Sequence, residues 1–401
     1  MIVDLHAHYP MHIVPSSRTS FWRLLLSRRG RRSLRDLVRA LLVGLASRFA
    51  NYRSFFSGPR VRIKYMRDGQ VQVALSVHYS FFDEIDELKG PLPAADYIDT
   101  LEAQIDTVQE HVAGRHNNDV VIATSPDQLE SAAGERKVAL VPCVEGGFHL
   151  GPTPEQVDKG VERLAKRGVA YITLAHLIWR EIATDAPALP FMTDDEYRHW
   201  FPQPDEGLSE LGRAAVEAMV REHVLIDVSH MSERSLEDTF GLLDELDPDR
   251  SVPVLATHTG YRFGSQEYML DTATIERIAG RDGVIGLIFA RHQIEDGLSP
   301  EAVRSGVQLS KKRRFAASFE ILCRHVDEIH RIVGSHRHTA IGSDLDGFIK
   351  PTLPGLEDMR DMRRLEHSFR RRYGDQDAEL ICSGNALRLL TTYWRGSSEP
   401  N

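Results

Sequence analysis

Eight short apolar runs recur along the chain and alternate with amphipathic stretches. Runs of this kind, rich in β-branched residues, are typical of strands buried on both faces, and the stretches between them repeat apolar residues at three- and four-residue spacing, as helices do. In order, the runs are "IVDL", "VQVALSV", "VALVPCV", "AYITL", "VLIDV", "PVLAT", "VIGLIFA" and "TAIGS". Eight strand–helix units in a chain of 401 residues predict an α/β fold, a (β/α)8 TIM barrel.

An open, doubly wound sheet is the alternative to a closed barrel. Such sheets often carry a glycine-rich G-x-G-x-x-G loop after the first strand, and no such loop follows here. The length alone suggests two or three domains, but α/β barrels commonly exceed the usual domain size as one unit. We therefore predict a single barrel domain over residues 1–401.

Residues 16–64, between the first and second predicted strands, do not fit the alternating pattern. The segment is rich in arginine and has apolar residues at helical spacing. Its simplest interpretation is one or two helices inserted after the first strand, with the arginines facing solvent. The alternatives are a lid over the barrel mouth, a partner surface, or a basic patch that contacts anionic membranes.

Charge, cysteine content and the start of the chain limit the partners and the compartment. The net charge of −9 argues against nucleic-acid binding. Cys143, Cys323 and Cys382 are far apart and form no CxxC pattern, which favours a reducing compartment over a disulfide framework. The first predicted strand begins at Ile2 and leaves no room for a signal peptide, and no apolar run reaches the roughly 18 residues of a membrane span. We expect a cytoplasmic protein.

Each of the eight predicted strands leads into a side chain that can bind a metal or exchange a proton. In a (β/α)8 barrel the carboxyl ends of the strands share one rim, where the chemistry takes place. These side chains are His6 with His8, His78, Glu145, His176, His230, His258, Arg291 with His292, and Asp344. Burying so many imidazoles and carboxylates without partners would cost several kcal/mol, so the pattern indicates a metal site rather than a core.

The candidate ligands supply the nitrogen and oxygen atoms that zinc accepts in proteins. They are His6, His8, Glu145, His230 and His258. Five ligands exceed the three that a catalytic zinc usually takes from protein, so two ions bridged by Glu145 and a water would account for the surplus. Two cations would acidify that water, and Asp344 would take its proton and pass it to a leaving group.

Further segments extend this pattern along the whole chain. They are "VDLHAH", "MRDGQVQVALSV", "VEGG", "YITLAHL", "IDVSHMSERSLEDTF", "VLATHTG", "IGSDLDG", "LPGLEDM" and "GNALRLL". In these segments and their order the chain resembles the membrane (renal) dipeptidase family of zinc peptidases, within the amidohydrolase superfamily. The resemblance implies a barrel with two Zn²⁺ ions, other divalent metals being possible, that hydrolyses small dipeptides and pairs as a homodimer.

The resemblance also implies a role for each matching residue. His6 and the residue at position 8 would bind one ion, His230 and His258 would bind the other, and Glu145 would bridge the two. Asp344 would be the proton shuttle. His176 would bind the substrate and stabilise its oxyanion.

The chain departs from the family at two positions. The family has H-x-D after the first strand, whereas this chain has His6 and His8, which makes the site about one charge unit more positive. The family also places an arginine after the histidine that ends the sixth predicted strand, here His258, to bind the substrate carboxylate. In this chain Arg262 is the nearest candidate and Arg291 is another. These departures favour, as a second hypothesis, a lactone, an ester or a non-peptide amide as substrate.

A third hypothesis belongs to a different class of protein. The chain would be a non-catalytic metal-binding or scaffold protein, recruited through residues 16–64. The presence of both Glu145 and Asp344 argues against it, because a protein without activity need not keep its proton shuttle.

Overall fold

Nine parallel strands form the sheet in the part of the chain that the structure describes. The structure is a computed structural model, and it describes residues 1–14, 58–85, 91–190, 192–298, 311–347, 349 and 351–396. The strands are β1 Ile2–Ala7, β2 Val71–His78, β3 Val120–Ile122, β4 Val138–Glu145, β5 Tyr171–Thr173, β6 Leu225–Asp227, β7 Val254–Thr259, β8 Val284–Leu287 and β9 Thr339–Ile341. Because β2 pairs with both β1 and β4, the strands β1, β2 and β4–β9 close into a ring. The predicted (β/α)8 barrel is confirmed.

The ninth strand, β3, lies outside the ring and is absent from the sequence prediction. It pairs with Val138, Ala139 and Leu140 in the first half of β4, whereas β5 pairs with Val144 and Glu145 at the end of β4. Three residues, "VVI", are too few to show a periodic pattern, so only the pairing with β4 identifies them as a strand.

The helices follow the strands and cover the outside of the ring. They are α1 Ile63–Asp68, α2 Phe81–Glu84, α3 Tyr97–Arg115, α4 Pro126–Gly134, α5 Pro154–Lys166, α6 Asp194–Trp200, α7 Glu210–Glu222, α8 Glu233–Leu246, α9 Thr272–Gly280, α10 Arg291–Ile294, α11 Lys311–Val333, α12 Met362–Tyr373, α13 Asp375–Glu379 and α14 Asn385–Thr392. Side-chain caps fix several starts: Ser125, Thr153, Ser209, Ser232 and Asp271 each accept a backbone N–H of the first turn.

Most of the inserted segment predicted at residues 16–64 lies outside the described residues, so its helical character stays a prediction. Its two flanks meet at one carboxylate oxygen. His12 Nε2 lies 3.2 Å from Asp346 Oδ2, and the backbone N–H groups of Arg60 and Val61 donate to the same oxygen at 2.9 Å each. The chain therefore leaves the barrel and returns to it at the loop after β9.

The cysteines form no disulfide among the described residues. Cys143, Cys323 and Cys382 are buried and unpaired. Across the described ranges, no helix has both the length and the apolar character that crossing a bilayer requires.

His325, in α11, predicts a loss of stability in acid. Its Nδ1 accepts the Tyr261 N–H at 3.0 Å and its Nε2–H donates to the Ile294 carbonyl at 2.8 Å, so the neutral ring satisfies both partners. Burial lowers the pKa of His325 to about 4. The unfolded chain takes up a proton near pH 6.5 while the folded chain does not, so the free energy of unfolding falls as the pH drops below about 6.5.

The measurement is urea unfolding at pH 7.5 and pH 5. Between pH 7.5 and pH 5 the free energy of unfolding should fall by about 2 kcal/mol more in wild type than in His325→Gln. This follows by linkage from the folded pKa of about 4 and the unfolded pKa near 6.5. The other histidines contribute equally to both proteins, so the difference reports His325 alone. Equal losses would contradict the prediction.

Candidate metal centre

The five predicted ligands lie together at the carboxyl-terminal rim of the barrel. His6 is in β1 and His8 follows it, Glu145 ends β4, His258 is in β7, and His230 lies three residues after β6. All five side chains are buried. A parallel ring brings its strand ends to one rim, so residues far apart in the sequence become neighbours.

Glu145 is at the centre of this group. Its Oε1 lies 3.3 Å from His6 Nε2, 3.5 Å from His258 Nε2 and 3.7 Å from His230 Nε2. Its Oε2 lies 3.6 Å from His8 Nε2. One carboxylate therefore contacts all four imidazoles, as a carboxylate shared by two ions would do.

Hydrogen bonds on the outer side fix which nitrogens face this centre. Thr257 Oγ1–H donates to Asp227 Oδ2 at 2.6 Å, so its oxygen is left to accept. It lies 2.8 Å from His258 Nδ1 and 3.1 Å from His6 Nδ1, which places the ring hydrogens on the Nδ1 atoms. Tyr171, 2.9 Å from His6 Nδ1, donates its own hydrogen to Leu5 and so accepts from His6 as well. The Nε2 atoms of His6 and His258 therefore face the centre, where each neutral ring presents its lone pair.

The centre has more buried acceptors than the protein can satisfy. His230 Nε2 lies 2.9 Å from the bare His258 Nε2, and His6 Nε2 lies 3.3 Å from His8 Nε2. Buried Glu145 Oε2 accepts no hydrogen bond. Burial lowers the pKa values of His230 and His258 well below their usual value, so both rings are neutral and able to ligate. This donor set fits divalent cations, which would satisfy the facing lone pairs.

Ligand atoms come within 4.8 Å of one another in three overlapping groups among the described residues. The groups are His6 with His8 and Glu145, Glu145 with His176 and His230, and His6 with Asp227 and His258. The set therefore provides ligand positions for more than one ion.

Both predicted catalytic side chains face the same pocket. Asp344 Oδ1 lies 2.9 Å from His8 Nε2, and His176 Nε2 lies 3.3 Å from Glu145 Oε2. Asp344 is held by its backbone N–H, which donates to the His6 carbonyl at 2.9 Å. The pocket lining comprises His8, Glu145, His176, Leu177, Ala188, His230, Tyr268, Gln293, Asp344 and Ile349. Their catalytic roles stay predictions.

The structure does not bring Arg262 into this pocket. Its guanidinium pairs with Glu233 and donates to the carbonyls of Glu267 and Met269. Arg291 pairs instead with Glu295 at 2.8 Å. Substrate binding by Arg262 stays a prediction that this geometry does not favour.

Several residues that support the centre are missing from the sequence prediction. Asp227 accepts from Thr257 and from Thr173, and Asp4 accepts the Ser343 N–H beside Asp344. A signal was present, because Asp227 and Asp4 are charged residues inside runs that are otherwise apolar. Glu84, which contacts His176, is missing from the prediction as well.

The closed barrel and its histidine–carboxylate centre define an α/β barrel with a candidate metal site at its carboxyl-terminal rim. The sequence pattern of the membrane dipeptidase family, peptidase family M19, matches residues 35–396. The chain belongs to this family, which confirms the resemblance. The matched residues begin after β1, so His6 and His8 lie outside them.

The chain is similar to two curated dipeptidases. It is 28% identical over 308 residues to an uncharacterized dipeptidase of Schizosaccharomyces pombe, covering 73% of this chain and 62% of that protein. It is 27% identical over 274 residues to dipeptidase 3 of Rattus norvegicus, covering 67% of this chain and 47% of that protein. The matches thus span less than two thirds of either relative.

Solved structures share the fold at low sequence identity. A metallopeptidase from Rhodobacter sphaeroides, liganded with a phosphinate mimic of the dipeptide L-Ala-D-Ala, gives a TM-score of 0.67 at 17% identity over 98% of this chain and 99% of that one. The probable dipeptidase PvdM from Pseudomonas aeruginosa gives a TM-score of 0.62 at 21% identity, covering 86% of this chain and 91% of that one. Both likenesses support the barrel.

Proposed function

We propose that this chain is a metal-dependent dipeptidase that hydrolyses the peptide bond of small dipeptides. The observation that carries the proposal is the arrangement of four imidazoles around Glu145, with Asp344 at the same pocket. Membership of the membrane dipeptidase family supports it, as does the fold shared with a metallopeptidase liganded with a dipeptide mimic.

The proposed cofactor is a pair of divalent cations, most simply Zn²⁺. His6, His8 and Glu145 would hold one, and Glu145, His230 and His258 would hold the other. When bound, the two cations supply the positive charge that polarises a peptide carbonyl and acidifies water.

Asp344 and His176 would do the remaining work. Asp344 Oδ1 accepts no hydrogen bond from the described residues, although His8 Nε2 lies 2.9 Å away. Its carboxylate is therefore open to take a proton from the attacking water. The same carboxyl group then returns that proton to the departing amine nitrogen. His176, across the pocket, would donate from Nε2 to the carbonyl oxygen as negative charge develops there. Burial alone would lower the pKa of its ring, but the charges of Glu145 and Glu84 raise it to about 9, so both ring nitrogens carry hydrogen at neutral pH.

A second candidate substrate is a non-peptide amide, an ester or a lactone. One observation favours it: among the described residues that line the pocket, none is lysine or arginine. A dipeptide carries a terminal carboxylate that a cation usually binds, whereas a lactone does not.

Chelation should abolish hydrolysis and metal addition should restore it. The full chain is treated with a chelator, then titrated with Zn²⁺, and assayed against L-Ala-L-Ala, L-Ala-D-Ala, an N-acetyl amino acid and a lactone. Because Glu145 is shared, we expect about two ions per chain at full activity, and dipeptides as the best substrates. Dipeptide hydrolysis that survives chelation would overturn the metal mechanism, and turnover of the lactone alone would favour the second candidate.

We further propose a homodimer in the cytoplasm that takes a small-molecule substrate and no nucleic acid. Three unpaired cysteines support a reducing compartment, and the net charge of −9 disfavours nucleic acid. Contact of residues 16–64 with a membrane surface stays one of the alternatives to one or two surface helices.

A further inference from the structure

Glu84 is a fully buried carboxylate that the reaction proposed above does not use. It ends α2, the helix that follows β2 at the catalytic rim. Its Oε1 accepts the backbone N–H groups of Leu177 and Ile178 at 2.8 and 3.1 Å, and its Oε2 accepts the Tyr79 hydroxyl. The carboxylate therefore joins the segment after β2 to the segment after β5.

The fourth donor to Glu84 is the ring of His176. His176 Nδ1 lies 2.9 Å from Glu84 Oε2, while Nε2 on the opposite side of the ring lies 3.3 Å from Glu145 Oε2. An ionised carboxylate can only accept, so Nδ1 carries a hydrogen and the Nε2 edge faces the metal centre. The ring thus spans two carboxylates in a single orientation.

Two observations indicate that Glu84 is a fixed and ionised partner. Burial by itself would raise the pKa of Glu84, but the charge of His176 and the hydrogen bonds from His176, Tyr79 and Leu177 lower it below its usual value. The buried Arg180 side chain donates to the Glu84 carbonyl at 2.6 Å and to the Pro91 carbonyl at 3.1 Å, which anchors the end of α2.

We propose that Glu84 is a positioning residue for the hydrolysis: it fixes the ring of His176 so that Nε2 is directed at the substrate carbonyl. One carboxylate aligns both the ring and the backbone that follows it, at Leu177 and Ile178. The inference rests on the proposed function, in which His176 acts on the developing oxyanion. A carboxylate that orients a histidine in this way is a common arrangement around metal centres.

Glu84→Gln tests the proposal, because glutamine keeps the shape and one acceptor oxygen but loses the charge. We expect kcat for the dipeptide to fall about 10- to 100-fold with KM changed less than about threefold, since the lost interaction acts in the transition state. In a His176→Ala background the same change should alter kcat less than about threefold, because the two residues act as one unit. Equal losses in both backgrounds would overturn the proposal.

Asp247→Asn is the matched control for loss of a buried carboxylate. Asp247 also accepts a backbone N–H, from Val252 at 2.8 Å, and pairs with Arg281, but it lies before β7 at the opposite end of the barrel. This variant should lower the unfolding midpoint in urea and leave kcat and KM unchanged. Glu84→Asp, which keeps the charge, should retain more kcat than Glu84→Gln; the reverse order would count against the proposal.

A second readout does not require activity. Long-range ¹H–¹⁵N spectra of the metal-free protein, labelled at histidine and assigned with His176→Ala, report which ring nitrogen carries hydrogen. We expect a protonated Nδ1 on His176 in wild type and a shifted pattern in Glu84→Gln. An unprotonated Nδ1 in wild type would overturn the inference whatever the substrate. Failure to hydrolyse any dipeptide, with the expected spectra, would instead reject the proposed function.

Discussion

Replacing Asp344 by asparagine should remove nearly all turnover while both metal ions stay bound. Asparagine has the same shape and can be held by the same backbone bond to the His6 carbonyl. It cannot take a proton from water and return it to an amine, so we expect kcat to fall by about 10³-fold with little change in KM. Steady-state kinetics on a dipeptide and metal content by mass spectrometry measure the two effects.

Asp346→Asn is the matched control on the same loop. Asp346 is equally buried, but its Oδ2 accepts the backbone N–H groups of Arg60 and Val61, and it is not among the described residues that line the pocket. It should lower stability and keep kcat within about threefold of wild type. An active Asp344→Asn variant would remove the proton-shuttle assignment, whereas loss of metal in that variant would make Asp344 a ligand.

Glu145→Gln should abolish both metal binding and activity. Glu145 contributes the negative charge that lies within 3.7 Å of four imidazole nitrogens. An amide removes that charge and presents an N–H₂ group to atoms that should be facing a cation. We expect the affinity for zinc to fall by more than about 100-fold, beyond the loss typical of residues one step further from the metal. Calorimetric titration of the metal-free protein measures it.

Glu366→Gln serves as the control for Glu145. Glu366 is buried too, and it pairs with the N-terminal amine at 2.8 Å and with Arg370. The loss of this pair should leave the metal affinity unchanged. Two ions retained with wild-type affinity in Glu145→Gln would contradict the shared-carboxylate arrangement.

The barrel and the position of its centre could be predicted because both depend on local pattern and topology. Buried parallel strands are apolar throughout, so each of the eight runs can be recognised as a strand from its own residues alone. Closure of the ring then brings the residue after each run to one rim, which places Glu145 beside His230 and His258. β3 gave no such signal, since three residues form a strand only through pairing with β4.

The direction of long or second-layer side chains could not be predicted in this way. Arg262 follows β7 closely enough to reach the rim, but Glu233 and two carbonyl groups turn its guanidinium elsewhere. The proposed role of Glu84 depends on its hydrogen bond with His176, which is 92 residues away in sequence. Asp227 depends likewise on Thr257. Such partners are chosen by tertiary packing and leave no periodic trace in the sequence.

The contact of Asp346 with His12, Arg60 and Val61 bears on how freely the length of the intervening chain can vary. His12 Nε2 lies 3.2 Å from one Asp346 carboxylate oxygen that also accepts the N–H groups of Arg60 and Val61, so the two flanks of residues 13–59 are held close together. The entropy of closing a loop rises only slowly with its length. We therefore expect insertions and deletions between the flanks to change the free energy of unfolding little. Asp346 is only two residues beyond Asp344, so this contact anchors the loop that carries both carboxylates.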